Sequence, residues 1–212
     1  MKTKTFLIIL VIFSILFFGS FFYFNYKNSV INWKNSDGEN FKFNVVKNGD
    51  TISYVLQVYS TGREYLIPFR HNPKELEDIK LDEKARDVIL SSGDKAKKKI
   101  YITQDPDLPK LTDSESALAV VEINKVTGQA YYGIFKIDTI SALTRETDRS
   151  KELELPIKTC NDASNEESVI LLTMGNESSI DVDGNCVVVE GKDGKDLFRV
   201  TDKLVMHLLT VF

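Results

Sequence analysis

No charged residue interrupts the chain between Phe6 and Phe24, and that run, FLIILVIFSILFFGSFFYF, constrains whatever is built on it. At about 1.5 Å per residue a helix of this length reaches roughly 28 Å, close to the ~30 Å hydrocarbon core of a bilayer. Lipid leaves exposed backbone N–H and C=O groups unsatisfied, so a lone segment crosses it only as a helix. The run predicts one N-terminal transmembrane helix, with the lipid bilayer as the partner of residues 6–24. A cleaved signal peptide would carry a shorter apolar stretch ending in small residues. Here Phe21, Phe22, Tyr23 and Phe24 resume after Gly19-Ser20, and no A-x-A-like site follows. The implied organisation is an anchor over 1–26, a juxtamembrane linker over 27–40, and a domain over 41–212 with a sub-boundary near 140–152.

Lys2, Lys4 and the α-amine precede the run, whereas Lys27 and Lys34 beyond it are diluted by Asp37 and Glu39. The positive-inside bias then places the N-terminus in the cytoplasm and the C-terminal domain outside a cell membrane crossed once. The two cysteines, Cys160 and Cys186, fit an extracytoplasmic disulfide. Closing a loop of about 26 residues contributes roughly 3.5 kcal/mol on the chain-entropy account. The alternative is two unrelated buried thiols, since free cysteine is a common core residue. Asn176-Glu177-Ser178 forms a glycosylation sequon, with Asn176 as the acceptor.

Of the 27 basic residues, 25 follow the apolar run, against 31 acids, so the remainder carries about −6. Its charges are mixed, and the only basic cluster is Lys95-Ala96-Lys97-Lys98-Lys99, which reads as a solvated turn. An acidic body of this kind is a poor nucleic-acid partner.

Hydropathy alternation at Phe41, Phe43 and Val45, the Asn48-Gly49-Asp50 turn, and β-rich stretches over 51–59 and 65–69 predict an antiparallel β meander. Asn72-Pro73-Lys74-Glu75 opens a short helix, and Asp82-Glu83-Lys84 opens either a second brief helix to Leu90 or, equally, a lead into a strand over Asp87-Val88-Ile89-Leu90. Ile100-Tyr101-Ile102-Thr103 is a buried strand. Thr112-Asp113-Ser114-Glu115 is a capping box for a helix that stops at Gly128. Strands follow at 131–137 and 153–157, then at Val169-Ile170-Leu171-Leu172 and Cys186-Val187-Val188-Val189, with a weaker strand or a loop over 178–184. Leu197, Val200, Leu204 and Leu208 mark one face of a final helix from Gly194. Apolar strands with an amphipathic helix imply an α/β fold, a mixed sheet covered on both faces, behind the transmembrane helix and the meander.

Asp105 and Asp107 lie just past a buried strand, where two carboxylates suit acid/base work or a cation, although Asp-Pro is also ordinary turn chemistry. Asp181-Val182-Asp183-Gly184-Asn185 echoes the opening of a calcium loop. Its twelfth position is Lys192 where a Glu is needed, so a hairpin turn through Gly184-Asn185 is the better reading. His71 and His207 lack partners at metal-ligand spacing; His207 reads as a surface residue at a helix end and His71 as part of a turn. Neither cysteine has an adjacent His or a C-x-x-C partner, and no G-x-S-x-G, S-x-x-K or P-loop occurs. No cofactor and no metal is implied.

Pro68-Phe69-Arg70, Asn72-Pro73-Lys74-Glu75-Leu76-Glu77, Tyr101-Ile102-Thr103-Gln104-Asp105-Pro106-Asp107, Ala119-Val120-Val121-Glu122-Ile123 and the final 202–209 stretch together resemble uncharacterised single-span, membrane-anchored proteins of small-genome archaea. The strand–Gly–strand–helix order at the C-terminus is similar to segments of archaeal surface-layer and cell-wall-binding proteins. The resemblance implies an anchored domain, brings no activity, and transfers no functional residue. The expected role is interaction or envelope assembly, with a protein partner in the envelope. The alternatives are an envelope-directed hydrolase using Asp105 and Asp107, and a small-ligand-binding module.

Overall fold

The computed structural model describes residues 12–19, 29–92, 95–108, 113–129 and 132–212, which form two compact units: the described residues of 1–59 with 64–72, and those of 60–63 with 73–212. Residues 12–19 are helical (α1), and the rest of 6–24 lies outside the described residues. Eight residues rise about 12 Å, well under half of a ~30 Å hydrocarbon core. No helix among the described residues is long and apolar enough to cross a membrane. The expected transmembrane helix, and the single-pass membrane localisation with a cytoplasmic N-terminus drawn from it, are corrected accordingly. Composition over 6–24 measures greasiness, and the described helical length falls short of a span.

The first unit is a four-stranded sheet in the order β1 (Val30–Lys34), β2 (Asn40–Asn48), β3 (Thr51–Ser60), β4 (Arg63–Phe69). Its first strand falls inside the stretch read as a linker. Antiparallel pairing sets Trp33 opposite Phe41 and Phe43 opposite Leu56. Each reversal has its own turn chemistry. Asn35 accepts from the Glu39 amide through its side chain, Gly49 takes φ 60°, and Thr61-Gly62 takes φ 50° and 75°, a turn whose twist matches the strands it joins. Phe43, Leu56, Ile67 and Phe69 are fully buried, the two rings packing edge to face at 6.3 Å.

The second unit is a six-stranded mixed sheet. In order across the sheet its strands are β5 (Lys80–Leu81), β11 (Ser179–Asp183), β12 (Cys186–Gly191), β10 (Glu167–Met174), β8 (Lys99–Gln104) and β9 (Asp138–Leu143). The short ribbon β6 (Ser91–Ser92) with β7 (Lys95–Ala96) lies apart from it. Strands β12, β10, β8 and β9 run parallel, β11 runs antiparallel to β12, and β5 runs parallel to β11. Helix α3 (Asp113–Thr127) makes the crossover from β8 to β9, α2 (Ala85–Leu90) follows the edge strand β5, and α5 (Gly194–Leu208) follows the last strand, β12. Ser168 Oγ donates to the carbonyls of Val88 and Ile89 on α2, and α3 packs on α5, so these helices share one face. That face buries Ile100, Ile102, Ile170, Leu172, Val187 and Val189.

Among the described residues the other face carries no α-helix of comparable length. Tyr101, Ala142, Val169 and Cys186 cluster there under the segment around Cys160 and Ala163, with Leu171 and Val188 half-buried. Thr103 Oγ1 donates to Lys158 O at 2.7 Å, and the Lys158 ammonium lies 4.3 Å from the Tyr101 ring centroid. The sheet is thus covered by helices on one face and by a disulfide-pinned strap on the other.

Two local readings also change. The strand expected at 131–137 appears at β9 instead, with Ile137 leading into it. Of residues 153–157 only Ile157 bridges, to Leu143. The capping Thr112 lies outside the described residues. The Glu115 carboxylate lies where a Cβ on Gly194 would fall, at the start of α5. A carboxylate there complements the amide-rich end of that helix.

Candidate functional site

Parallel strands present a common end, and ligands of open α/β sheets favour that end, where successive crossovers diverge. Strand β8 leads through α3 to β9 on one side, while β10 leads through β11 to β12 on the other. The chain leaves β8 at Gln104 and β9 at Leu143, and Thr144 N donates to Gln104 O at 3.0 Å, so the two exits stay together. Beside them opens a cavity of about 330 Å³ between β8, β9, α3 and α4 (Asp148–Glu152). Ala117 on α3 and Ser141 on β9 contribute small, exposed side chains to its lining. Ile102, Val120, Leu143 and Leu155 supply most of the apolar wall, while Val121 and Leu153 reach its exposed side.

Three polar groups line the same cavity: Gln104, Ser141 and Arg149. The Oε1 atom of Gln104 is buried with no hydrogen-bond partner. An unmet buried acceptor of that kind costs about 1–3 kcal/mol. Arg149 stands on α4, whose start is fixed by a capping box: Thr147 Oγ1 accepts from Ser150 N, and Ser150 Oγ accepts from Thr147 N.

Asp105 and Asp107 lie at the rim of this region, flanking the cavity residue Pro106. Asp105 Oδ1 accepts from the Asp107 amide at 2.9 Å, an Asx turn. Arg145, just past β9, pairs with Asp107 and lies 3.6 Å from Asp105, all three side chains being about half or more exposed. The structure brings the two candidate carboxylates together with a guanidinium between them. Both carboxylates are open to water and engaged by one exposed cation, an ordinary surface pairing.

Cys160 and Cys186 are joined as a disulfide, with S–S 2.05 Å and Cα–Cα 5.2 Å, pinning the strap to the start of β12. Asn176 is exposed in the turn between β10 and β11, while the sequon's Ser178 is buried and donates to Asp196 Oδ2 at 2.7 Å. Gly184-Asn185 forms the hairpin between β11 and β12, Gly184 at φ 60°. Asp181 is engaged by the Ser179 hydroxyl at 2.6 Å and by Lys80 at 3.1 Å; the Ser179 bond, with Lys80 beside it, holds its carboxyl below the usual carboxylate range. Among the described residues no group of three or more His, Cys, Asp or Glu is placed to hold a metal.

Several polar residues that sequence reasoning left at the surface are interior. Rather than facing solvent, His207 is 5% exposed, its Nδ1 facing Phe212 O and its Nε2 facing Glu83 O. Lys97, in the basic cluster, is buried and donates to Ser164 O at 2.7 Å, and burial pushes its pKa down. Gln104 was missed as a site residue; its signal is a lone amide closing an apolar strand. Arg149 had none, because what places it is a cavity between elements distant in sequence.

Neither family models, nor curated proteins, nor solved structures match this chain.

Proposed function

We propose that the chain is a binding module, its α/β unit taking a small and mainly apolar ligand at the ends of β8 and β9. The observation that carries this reading is the cavity itself: about 330 Å³, walled by aliphatic side chains with a few convergent polar groups. Such a composition and size, at such a place in a sheet, suit small-molecule recognition. Hydrolysis by Asp105 and Asp107 draws less support, because Arg145 engages both and they are open to water.

The test is occupancy by a neutral apolar compound. In amide-detected NMR, 4-methylpentan-1-ol should shift resonances of Val120, Ser141 and Leu155 saturably, and Val120→Trp, which fills the space, should abolish the shifts. Saturable binding also raises the melting temperature, by mass action on the folded state. Shifts scattered over the surface without saturation would overturn the proposal.

A further inference from the structure

We infer that the apolar group received by this cavity is a side chain of an extended peptide, which adds to the sheet along the outer edge of β9. This rests on the binding reading above and names the partner of the same site. β9 has β8 on one side and closes the sheet on the other. The bonds at its end fix which backbone groups point where. Thr144 N donates to Gln104 O at 3.0 Å, toward β8. Leu143 N donates to Pro156 O at 3.1 Å and Leu143 O accepts from Lys158 N at 2.9 Å, both on the outer side. Backbone groups along a strand alternate in direction, so Ser141 and Thr139 also aim their N–H and C=O outward. Among the described residues those outward groups meet no partner, and Ser141 is exposed. The next outward amide back, that of Ile137, is taken by Thr127 O at the end of α3, at 2.8 Å. The open backbone is thus bounded by α3 at one end and by the strap at the other.

Donors and acceptors repeating every second residue are matched by another extended backbone. The strap already shows the arrangement, since Ile157 bridges Leu143 in parallel. It does not continue along the edge, because Leu153 N and Leu155 N are held by Arg149 O and Ser150 O of α4, with Glu154 between them at φ 52°. The edge also lacks the usual guards. β9 carries no lysine and no proline, and its one charged residue, Asp138, faces Lys99 at 3.5 Å. The opposite edge strand, β5, is by contrast two residues long and carries Lys80. A peptide residue lying opposite Ser141 in a parallel pairing puts its side chain on the same face as Ser141. That is the face of the cavity, which Ser141 lines together with Ile102 and Leu143. An aliphatic side chain such as leucine is the group that these walls favour. Backbone bonds to β9 would supply affinity, and the cavity would select the residue.

The experiment titrates the full, unaltered chain with acetyl-Ser-Thr-Val-Leu-Val-Thr-Ser-amide, read by calorimetry and by amide hydrogen exchange in NMR. The peptide should bind saturably and slow exchange at Thr139 and Ser141, whose amides exchange freely without it. Two N-methylated versions separate strand addition from mere greasiness. With leucine opposite Ser141, the N–H of the following valine donates to Ser141 O, whereas the leucine N–H points away from β9. N-methylation of that valine should weaken binding about tenfold or more, and N-methylation of the leucine by no more than about twofold. Replacing the leucine with alanine should also cost about tenfold or more, through lost apolar burial. If the two N-methylated peptides bind alike, or none of the peptides binds while 4-methylpentan-1-ol does, strand addition is wrong and the cavity reading stands. Protection of Thr139 and Ser141 that needs no peptide and grows with protein concentration would give the edge to a second copy and overturn the proposal. If neither the peptides nor the alcohol bind, both readings fall.

Discussion

The Nζ of Lys203 donates to the backbone carbonyl of Ile79 at 2.7 Å, inside the second unit, with only 4% of the residue exposed. The same ammonium donates to Leu76 O at 2.9 Å and lies 4.7 Å from the Phe212 ring centroid. One side chain of α5 thus closes the carbonyl end of the 3₁₀ turn at Pro73–Leu76 and holds the chain's last aromatic ring over itself.

Removing that ammonium leaves two buried carbonyls unmet. Lys203→Met keeps most of the packing volume and should cost about 2–4 kcal/mol in urea unfolding. Burial pushes the pKa of Lys203 below its ordinary 10.5, against the raising influence of Asp78 and Glu77. In the alkaline window between the lowered folded value and 10.5, the unfolded chain binds more protons than the folded one. Stability contributed by this residue therefore rises with pH across that window. The penalty of Lys203→Met should grow as pH rises toward 10.5; a penalty that shrinks over that range contradicts the assignment.

Asp196 works in the opposite direction. Burial raises its carboxyl pKa, but the Lys192 amide, the Ser178 hydroxyl and Arg199 outweigh burial and hold it below the ordinary 3.8. A depressed folded value means that its contribution is complete above the unfolded pKa and disappears as pH falls through the folded one. Asp196→Asn should cost about 1–3 kcal/mol at neutral pH, and the difference from the unaltered protein should vanish in acid. Paired urea curves at pH 7 and in the acid limb check this.

The disulfide invites a reduction experiment. With a sequence separation of 26 residues, opening the Cys160–Cys186 bond should lower stability by about 3.5 kcal/mol in the chain-entropy account. The loss should be local in its first sign, because the strap is what covers Tyr101, Ala142 and Val169. Hydrogen exchange after reduction, or in Cys160→Ser/Cys186→Ser, should accelerate at 157–166 before it does in α5. Uniform acceleration would contradict a pinned strap.

What the sequence made legible follows from where local and tertiary signals agree. The runs at β10 and β12, the hairpin at Gly184-Asn185 and the apolar face of α5 were readable because period, turn chemistry and cap all coincide there. Asp193 accepting from Asp196 N at 2.9 Å is the cap those residues imply. Strand β9 was misplaced because Asp138-Thr139-Ile140-Ser141 is polar-flanked and half-exposed, as edge strands are, while 131–137 is the more β-like text. Residues 153–157 alternate like a strand, yet Leu153 is 53% exposed and only Ile157 finds a partner. Lys97, Lys203 and His207 are interior because carbonyls distant in sequence wait for their donors, and no periodicity announces that. The cavity is the extreme case: its lining comes from elements distant in sequence, and no local pattern announces it.

The rim carboxylates offer a clean negative. Asp105→Asn with Asp107→Asn removes charges that are half or more exposed and paired with one equally exposed guanidinium. Exposed pairs of this kind contribute about 0–1 kcal/mol, so stability should change by no more than that, and ligand occupancy of the cavity should persist. Loss of a measurable hydrolytic activity in the double variant would restore the catalytic reading of the pair.

Gly191 closes β12 where α5 returns over the sheet, and its missing side chain is what allows the approach. A Cβ built there would run into the backbone N and Cα of Leu197, atoms that no rotamer change can move. At Gly194 the added Cβ would meet only the carboxylate of Glu115, the far end of a flexible side chain. The two substitutions therefore separate a backbone constraint from a side-chain one. Gly191→Ala should cost about 1–3 kcal/mol or more through displacement of the first turn of α5, since overpacking forces the neighbours to shift. Gly194→Ala should cost less than half as much, because Glu115 swings aside and alanine favours the helix over glycine by about 1 kcal/mol. Chemical denaturation of the two variants side by side decides it: equal penalties would mean that β12 and α5 can part without strain, and that the close approach at Gly191 is not what seats the helix.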